Sequence, residues 1–370
     1  MEALRITVCV LTFIMTLLTL LPLSRNQHWW VRVWDFPRLQ MASLCLLFLL
    51  TELYILPFGG VLSTITIVLT VACMLYQSWW ILPYTRLHPV QVKKVAPNGH
   101  SRIKIINSNV LTTNRQAGKL LSLIQQNKPD IVVLLETDQW WEDQMAPLEP
   151  DYPHSLRCPL DNLYGMHVYS RLPLHDAQIQ YLVADDIPSM HFRAELASGE
   201  QVVLHCLHPM PPSPTEADES TDRDGELIAV GHTAAKATYP TIVTGDLNDV
   251  AWSRTTRLFM KVSGLLDPRR GRGMYNTFHA SYPFLRWPLD HVFHSKHFTL
   301  IGLQRLGFMG SDHFPIMVEL ALTPQEGQDQ ESLEIDNEDI EEAEEKMQIA
   351  GVKTSDVHRA EKLNQPVFGL

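Results

Sequence analysis

Three long apolar runs crowd the first 84 residues, at 6–23, 39–56 and 61–82. Each is long enough to cross roughly 30 Å of hydrocarbon as a helix, so this block is expected to form three transmembrane helices. Tryptophans suited to a membrane interface border two of the runs: Trp29 and Trp30, then Trp79 and Trp80. The turn Pro57, Phe58, Gly59, Gly60 makes the second and third spans a tight hairpin. A cleavable leader is the competing reading of the first run, but no small-residue cleavage site follows it and two further runs do. Glu52 falls inside the second span, where a charge is expensive; it could be protonated or paired, and its closeness to the Pro57 turn favours a place near the interface.

Orientation follows from the bases. Arg25, Arg32 and Arg38 lie between the first two runs, and Arg86, Lys93 and Lys94 follow the third, whereas the opposite side has Arg5 and the amino terminus. By the positive-inside rule the chain is an integral protein of an inner or plasma membrane, with everything after residue 84 on the cytoplasmic side.

The remainder divides into a linker at 85–101, a globular domain at 102–323 and a tail at 324–370. Of the formal net charge of −11, the tail carries the larger share, with 13 acids against 4 bases, while residues 85–323 have 25 against 22. A domain that grips nucleic acid by its backbone is expected to be clearly basic, so this balance weighs against a long polynucleotide substrate. Cys9, Cys45 and Cys73 lie in the apolar runs; Cys158 and Cys206 alone can make neither a disulfide framework nor a metal knuckle. The tail is acidic with few large apolar residues, a composition expected to stay disordered apart from a transient helix around 340–349, serving mainly to solubilise.

Within the globular domain, apolar strands repeatedly end in a polar residue able to do chemistry. In PTIVTGDLND, at 240–249, a buried strand stops at Asp246 and Asn248, with Gly245 permitting a tight turn. The strand at 102–109 ends in Asn109, and an amphipathic helix at 115–127 leads to a second strand, 130–136, that ends in Glu136. Another strand, Gln201–Leu207, delivers His208 into a rigid proline run and carries His205 in alternation. After a helix at 252–262, residues 269–272 (RRGR) form a basic loop that could hold a phosphate but whose ordinary reading is a solvated one. Asp290 opens a strand at 289–294, and Asp312 and His313 lie in the turn before a strand at 316–320.

Each of these residues alone has a bland reading as a turn or strand end. Together, Asn109, Glu136, His208, Asp246, Asn248, Asp290, Asp312 and His313 are too consistently Asp, Glu, Asn and His to be random turn residues. They suit hydrolysis of a phosphate ester beside a hard divalent cation: carboxylates hold Mg²⁺ or Mn²⁺, amides orient groups and histidines move protons.

The ordered motifs SNV, LLET, SRLP, HP, GDLND, LDHVF and SDHFPI, across about 102–322, resemble the endonuclease/exonuclease/phosphatase superfamily. The resemblance implies an α/β fold, a four-layer sandwich of two mixed sheets flanked by helices. It implies Glu136 as principal metal ligand, Asn109 as a further ligand or hydrogen-bond partner, and Asp312 as a second possible ligand. Asp246 would orient and help activate the attacking water, and Asn248 would hold the phosphate or that Asp. His313 would act beside the phosphorus as base or charge stabiliser, its tautomer set by Asp290, and His208 would stabilise the transition state or protonate the leaving oxygen. Met166 and His167 depart from the Asn or small residue commoner in the superfamily, and no basic insertions that grip a duplex are recognisable. The expected function is therefore a membrane-anchored phosphoesterase acting on nucleic acid, phospholipid or soluble phosphate, with membrane lipid around its anchor and no obligate protein partner. A sphingomyelinase-like lipid phosphodiesterase is the alternative within enzymes, and a noncatalytic scaffold the alternative outside them.

Overall fold

The computed structural model describes residues 1–57, 59–97, 99 and 101–359; Phe58 of the expected hairpin turn and the tail beyond 359 lie outside the described residues. Helices α1 (Glu2–Leu20), α3 (Arg38–Ile55) and α4 (Val61–Ile81) pack side by side, joined between the first two by a segment containing the single turn α2 (Trp29–Arg32). All three are long and apolar enough to cross a membrane. Their outer faces show Phe13, Leu47, Leu50 and Val68 to the surroundings, while Met15, Met41, Cys45 and Cys73 meet inside. Glu52 is wholly buried among the three helices and accepts hydrogen bonds from Thr12 at 2.6 Å and Thr70 at 2.7 Å, two hydroxyls that replace the water it would otherwise need.

The globular part is built on two sheets. One runs β10 (Phe298–Arg305), β11 (Ile316–Leu322), β1 (Ser101–Asn109), β2 (Ile131–Leu135), β4 (Met166–Ser170), β3 (His154–Cys158); the other runs in order through β5 (Leu174–Gln180), β6 (Ser189–Glu195), β7 (Gln201–Leu207), β8 (Thr241–Asp246) and β9 (Asp290–His294). Strands β1 and β2 are parallel, as are β7 and β8, and the other pairs are antiparallel, so both sheets are mixed. Period-two alternation divides β2 between two cores. Ile131, Val133 and Leu135 face the second sheet, meeting Phe192, Leu204 and Ile242, whereas Val132 and Leu134 lie under α5 (Ala117–Asn127) and α6 (Gln139–Gln144). Burial on both faces explains the unbroken apolar run. On the far side, α7 (Thr221–Ala235) and α8 (Arg254–Ser263) cover Val243 and Phe293, which completes the four layers.

The linker packs on the domain: Val92 enters the main core, and Lys93 and Val95 bond to Leu300 of β10. Two expectations are corrected. The basic loop is neither solvated nor free for phosphate at Arg269, which is buried with a forked bond to Asp267 and a further bond to the Asp290 carbonyl at 3.2 Å. The tail is ordered through residue 359. After the turn α9 (Pro324–Gly327), helix α10 (Asn337–Ala350) starts on an Asp336–Asp339 capping box and packs Ala343 and Met347 against α7 and α8. Its charges find partners on the domain: Glu342 with Arg254, Asp339 with Lys261, and Lys346 with buried Asp224 at 2.7 Å. Composition alone misread it because the few apolar residues share one face and the acids meet cations from other elements.

Two outcomes test this packing. Ala343→Asp, which places a carboxylate where no side-chain surface is exposed, should cost about 3 kcal/mol and release α10 to proteolysis, read by thermal unfolding and limited digestion of the detergent-solubilised chain. Glu226 on α7 is buried with neither carboxylate oxygen bonded among the described residues; burial, and then Asp222, push its pKa from 4.5 up to about 8. The folded state therefore holds the proton more tightly than the unfolded one. Stability from this group is full below about pH 4.5 and lost as pH rises through about 8, so Glu226→Gln should flatten the decline in melting temperature across that window.

Candidate functional site

Topology brings the polar strand ends to one rim. Asn109 ends β1, Glu136 follows β2, His208 follows β7 and Asp246 ends β8, so two parallel pairs deliver four groups at their carboxyl ends. Antiparallel pairing supplies the rest. Asp290 opens β9 directly opposite Asp246, and the turn before β11, which pairs with β1, carries Asp312 and His313.

One amide joins the two halves. Asn109 Nδ2 donates to Glu136 Oε1 at 2.6 Å and to Asp246 Oδ2 at 3.1 Å, while its Oδ1 accepts from the Leu111 backbone at 3.0 Å. Asn109 thus donates to both carboxylates and ties Glu136 to Asp246. Glu136 and Asn248 both adopt positive φ, 60° and 51°, a strained backbone that for glutamate is rare outside constrained sites. Gly245, expected to serve a tight turn, lies inside β8 instead. A Cβ there would come within 1.8 Å of the Leu207 carbonyl, so glycine is required by the close approach of β7.

His313 sits between two carboxylates, with Nδ1 at 2.8 Å from Asp290 Oδ2 and Nε2 at 3.4 Å from Asp246 Oδ2. Burial opposes its charge, but Asp246 and Asp290 outweigh that and push its pKa up to about 10. Burial lifts Asp246 as well, against the pull of His313. His208 lies 4.0 Å from the same Asp246 oxygen, yet burial dominates and brings it down to about 4. The two histidines therefore differ: an imidazolium on one side of Asp246 and a neutral ring on the other. The Asn248 backbone donates to Asp246 Oδ1 at 3.0 Å, and its side-chain amide donates to the Pro209 carbonyl at 2.9 Å, tying the β8 loop to the proline run after His208.

Two groupings could receive a cation. Ligand atoms of Asp246, Asp290 and His313 lie within 4.8 Å of one another, but both His313 nitrogens already face carboxylates, and a cation there would break the bond to Asp290. Glu136, with Asp312 on the same cavity, is the other candidate. Burial raises its carboxyl to about 7 against the pull of Asn109 and His313, with Asp312 and Asp246 adding to the rise, and a divalent ion would offset that crowding of carboxylates.

All these groups except Asn109 and Asp290 line one cavity of about 710 Å³. Several of its residues were missed in the sequence. Asn107, two positions before Asn109 and on the same face, donates to Asp290 Oδ1 at 3.0 Å; its spacing was the available signal. Tyr164, Phe278 and Trp287 line the wall, and so do Trp29, Trp34 and Phe36 from the segment between α1 and α3. Nothing local to those aromatics announces a site. Met166 and His167 stand on β4 in the buried sheet, where His167 is driven down to about 3 by burial.

Among solved structures, an endonuclease/exonuclease/phosphatase from Beutenbergia cavernae is 18% identical, with a TM-score of 0.49 over 60% of this chain and 72% of its own. D. rerio TDP2 complexed with a single strand DNA product is 19% identical, with a TM-score of 0.48 over 60% of this chain and 99% of its own. The human Nocturnin catalytic domain with bound sulfate is 18% identical, with a TM-score of 0.49 over 62% and 96%. No curated protein matches by sequence. Residues 99–313, more than half of the chain and the stretch that carries every group at the rim, match the Endonuclease/Exonuclease/phosphatase family, and to that family the protein belongs.

Proposed function

We propose that the protein is a membrane-anchored, divalent-metal-dependent phosphoesterase that hydrolyses phosphodiester or phosphomonoester bonds, with its catalytic domain on the cytoplasmic side. The observation that carries the reading is the meeting of Glu136, Asp246, His208 and His313 on one cavity, with an imidazolium braced by two buried carboxylates. A purely structural cluster has no need of such a strained glutamate opening onto solvent-sized space.

Asp246 is placed to orient a water and accept its proton as the water oxygen bonds to phosphorus. The bond from phosphorus to the leaving oxygen then breaks, and that oxygen takes up a proton from water. His313, held between two carboxylates that favour its charged form, is placed to stabilise the phosphoryl oxygens as negative charge builds on them. His208, neutral at ordinary pH, contributes a hydrogen bond rather than a proton. Glu136, with Asp312, would hold Mg²⁺ or Mn²⁺, which when bound supplies further positive charge against the phosphate. Asn109 keeps Glu136 and Asp246 in register, and Asp290 holds the His313 ring.

The test is turnover of bis-p-nitrophenyl phosphate by the full chain in detergent micelles. Chelation should abolish activity and Mg²⁺ or Mn²⁺ restore it, and Asp246→Ala should lower kcat by roughly a thousandfold. Turnover that ignores chelator, or an Asp246→Ala variant equal to the parent, would overturn the reading. Asp290→Asn should lower kcat by about tenfold to a hundredfold with little change in KM, since it disturbs the ring that touches substrate and not the binding surface.

A further inference from the structure

The cavity that holds the catalytic groups is also lined by many apolar side chains. Five of its lining residues, Trp29, Val33, Trp34, Phe36 and Pro37, come from the segment between the first two membrane-length helices. That segment is fixed to the globular domain: the Trp29 backbone donates to the Asp218 carbonyl at 2.8 Å, and Trp252 Nε1 donates to the Asp35 carbonyl at 2.9 Å. Phe36 also meets Trp287 edge to face, with ring centroids 5.8 Å apart.

A second loop approaches the same helices from the domain side. Gln40, in the first turn of α3, donates to the Phe284 carbonyl at 2.8 Å, which sets the loop at 282–285 beside the start of a membrane-length helix. Phe284 is 87% exposed, Tyr282 57% and Leu285 49%. Aromatic and aliphatic side chains left open at that level belong in the interfacial layer of a bilayer rather than in water. Leu285 and Val33, the latter 45% exposed, both line the cavity. The exposed 282–285 loop and the segment before α3 thus each give the cavity an apolar residue, and both adjoin the start of a membrane-length helix.

Resting on the phosphoesterase reading, we propose that the substrate is a membrane-resident phosphate ester whose apolar chain lies against Val33, Trp34 and Leu285 while its phosphate reaches Asp246 and His313. The charge of the cavity agrees with this. Among the described residues no Lys or Arg lines it, which suits a single ester phosphate better than a polyanion. An aromatic wall could also stack nucleobases, but strand-binding grooves pair stacking with a cationic track, and none lines this cavity.

The experiment uses the full chain in phospholipid nanodiscs and a series of alkyl p-nitrophenyl phosphodiesters, from methyl to dodecyl, beside thymidine 5′-p-nitrophenyl phosphate. Removing a methylene from water is worth on the order of fourfold, so kcat/KM should climb at least tenfold along the series. Leu285→Asp and Val33→Asp, both at partly exposed positions, should reduce the ratio of dodecyl to methyl kcat/KM to within about threefold. A series flat with chain length in the parent, or a thymidine ester preferred to the long alkyl esters, overturns the lipid assignment alone. Silence on every ester with Mg²⁺ present overturns the phosphoesterase reading and the assignment together.

Discussion

His313 is the hinge of the arrangement, because a buried imidazolium survives only while carboxylates surround it. Asp290 and Asp246 perform that service from neighbouring positions on β9 and β8, and Asn107 and Asn109 of the opposite sheet bond those same two carboxylates. The two sheets are therefore joined at the rim by polar contacts as well as in the middle by Ile103, Phe192 and their neighbours. Four parallel strand ends and two antiparallel returns suffice to place these groups. No long catalytic loop is required, and strands hold side chains more precisely than loops do.

Much of this was legible along the chain because the signal is local. An apolar run of strand length that stops at a single Asp, Glu, Asn or His shows both the strand and the group it carries, as at Glu136, His208 and Asp246. The strands β3, β5, β6 and β10 gave no comparable signal, for their apolar residues are interrupted by polar ones and their pairing is decided by neighbours in space. Protonation was illegible for the same reason. His208 and His313 look alike in sequence, but His313 lies between two carboxylates, whereas His208 is farther from Asp246 and is opposed by burial and by His313 itself. The orientation argument shows the limit from another side. Of the three bases before the second membrane-length run, Arg25 pairs with Glu338, and Arg32 and Arg38 share Asp35, so part of their charge is met within the protein.

The tail and the membrane-length helices were read as appendages to a catalytic domain, and the contacts argue otherwise. Lys346 of α10 bonds Asp224, Asp224 bonds Arg223, and Arg223 Nη1 donates to the Asn248 carbonyl at 2.8 Å. Asn248 is the residue whose positive φ and backbone N–H shape the loop beside Asp246. From the other direction, Trp252 and Tyr84 bond across to the Asp35 carbonyl and the Ala251 carbonyl, closing a small apolar core of Ile81, Val250 and Leu289 under the same loop. Charged residues buried in such a chain are costly unless every partner is present, since one missing member leaves an uncompensated charge. The loop that presents Asp246 is consequently supported from the tail on one flank and from the membrane-length helices on the other. A cut at residue 102 would remove the Asp35 carbonyl to which Trp252 donates, and a cut at residue 323 would remove Lys346 from buried Asp224.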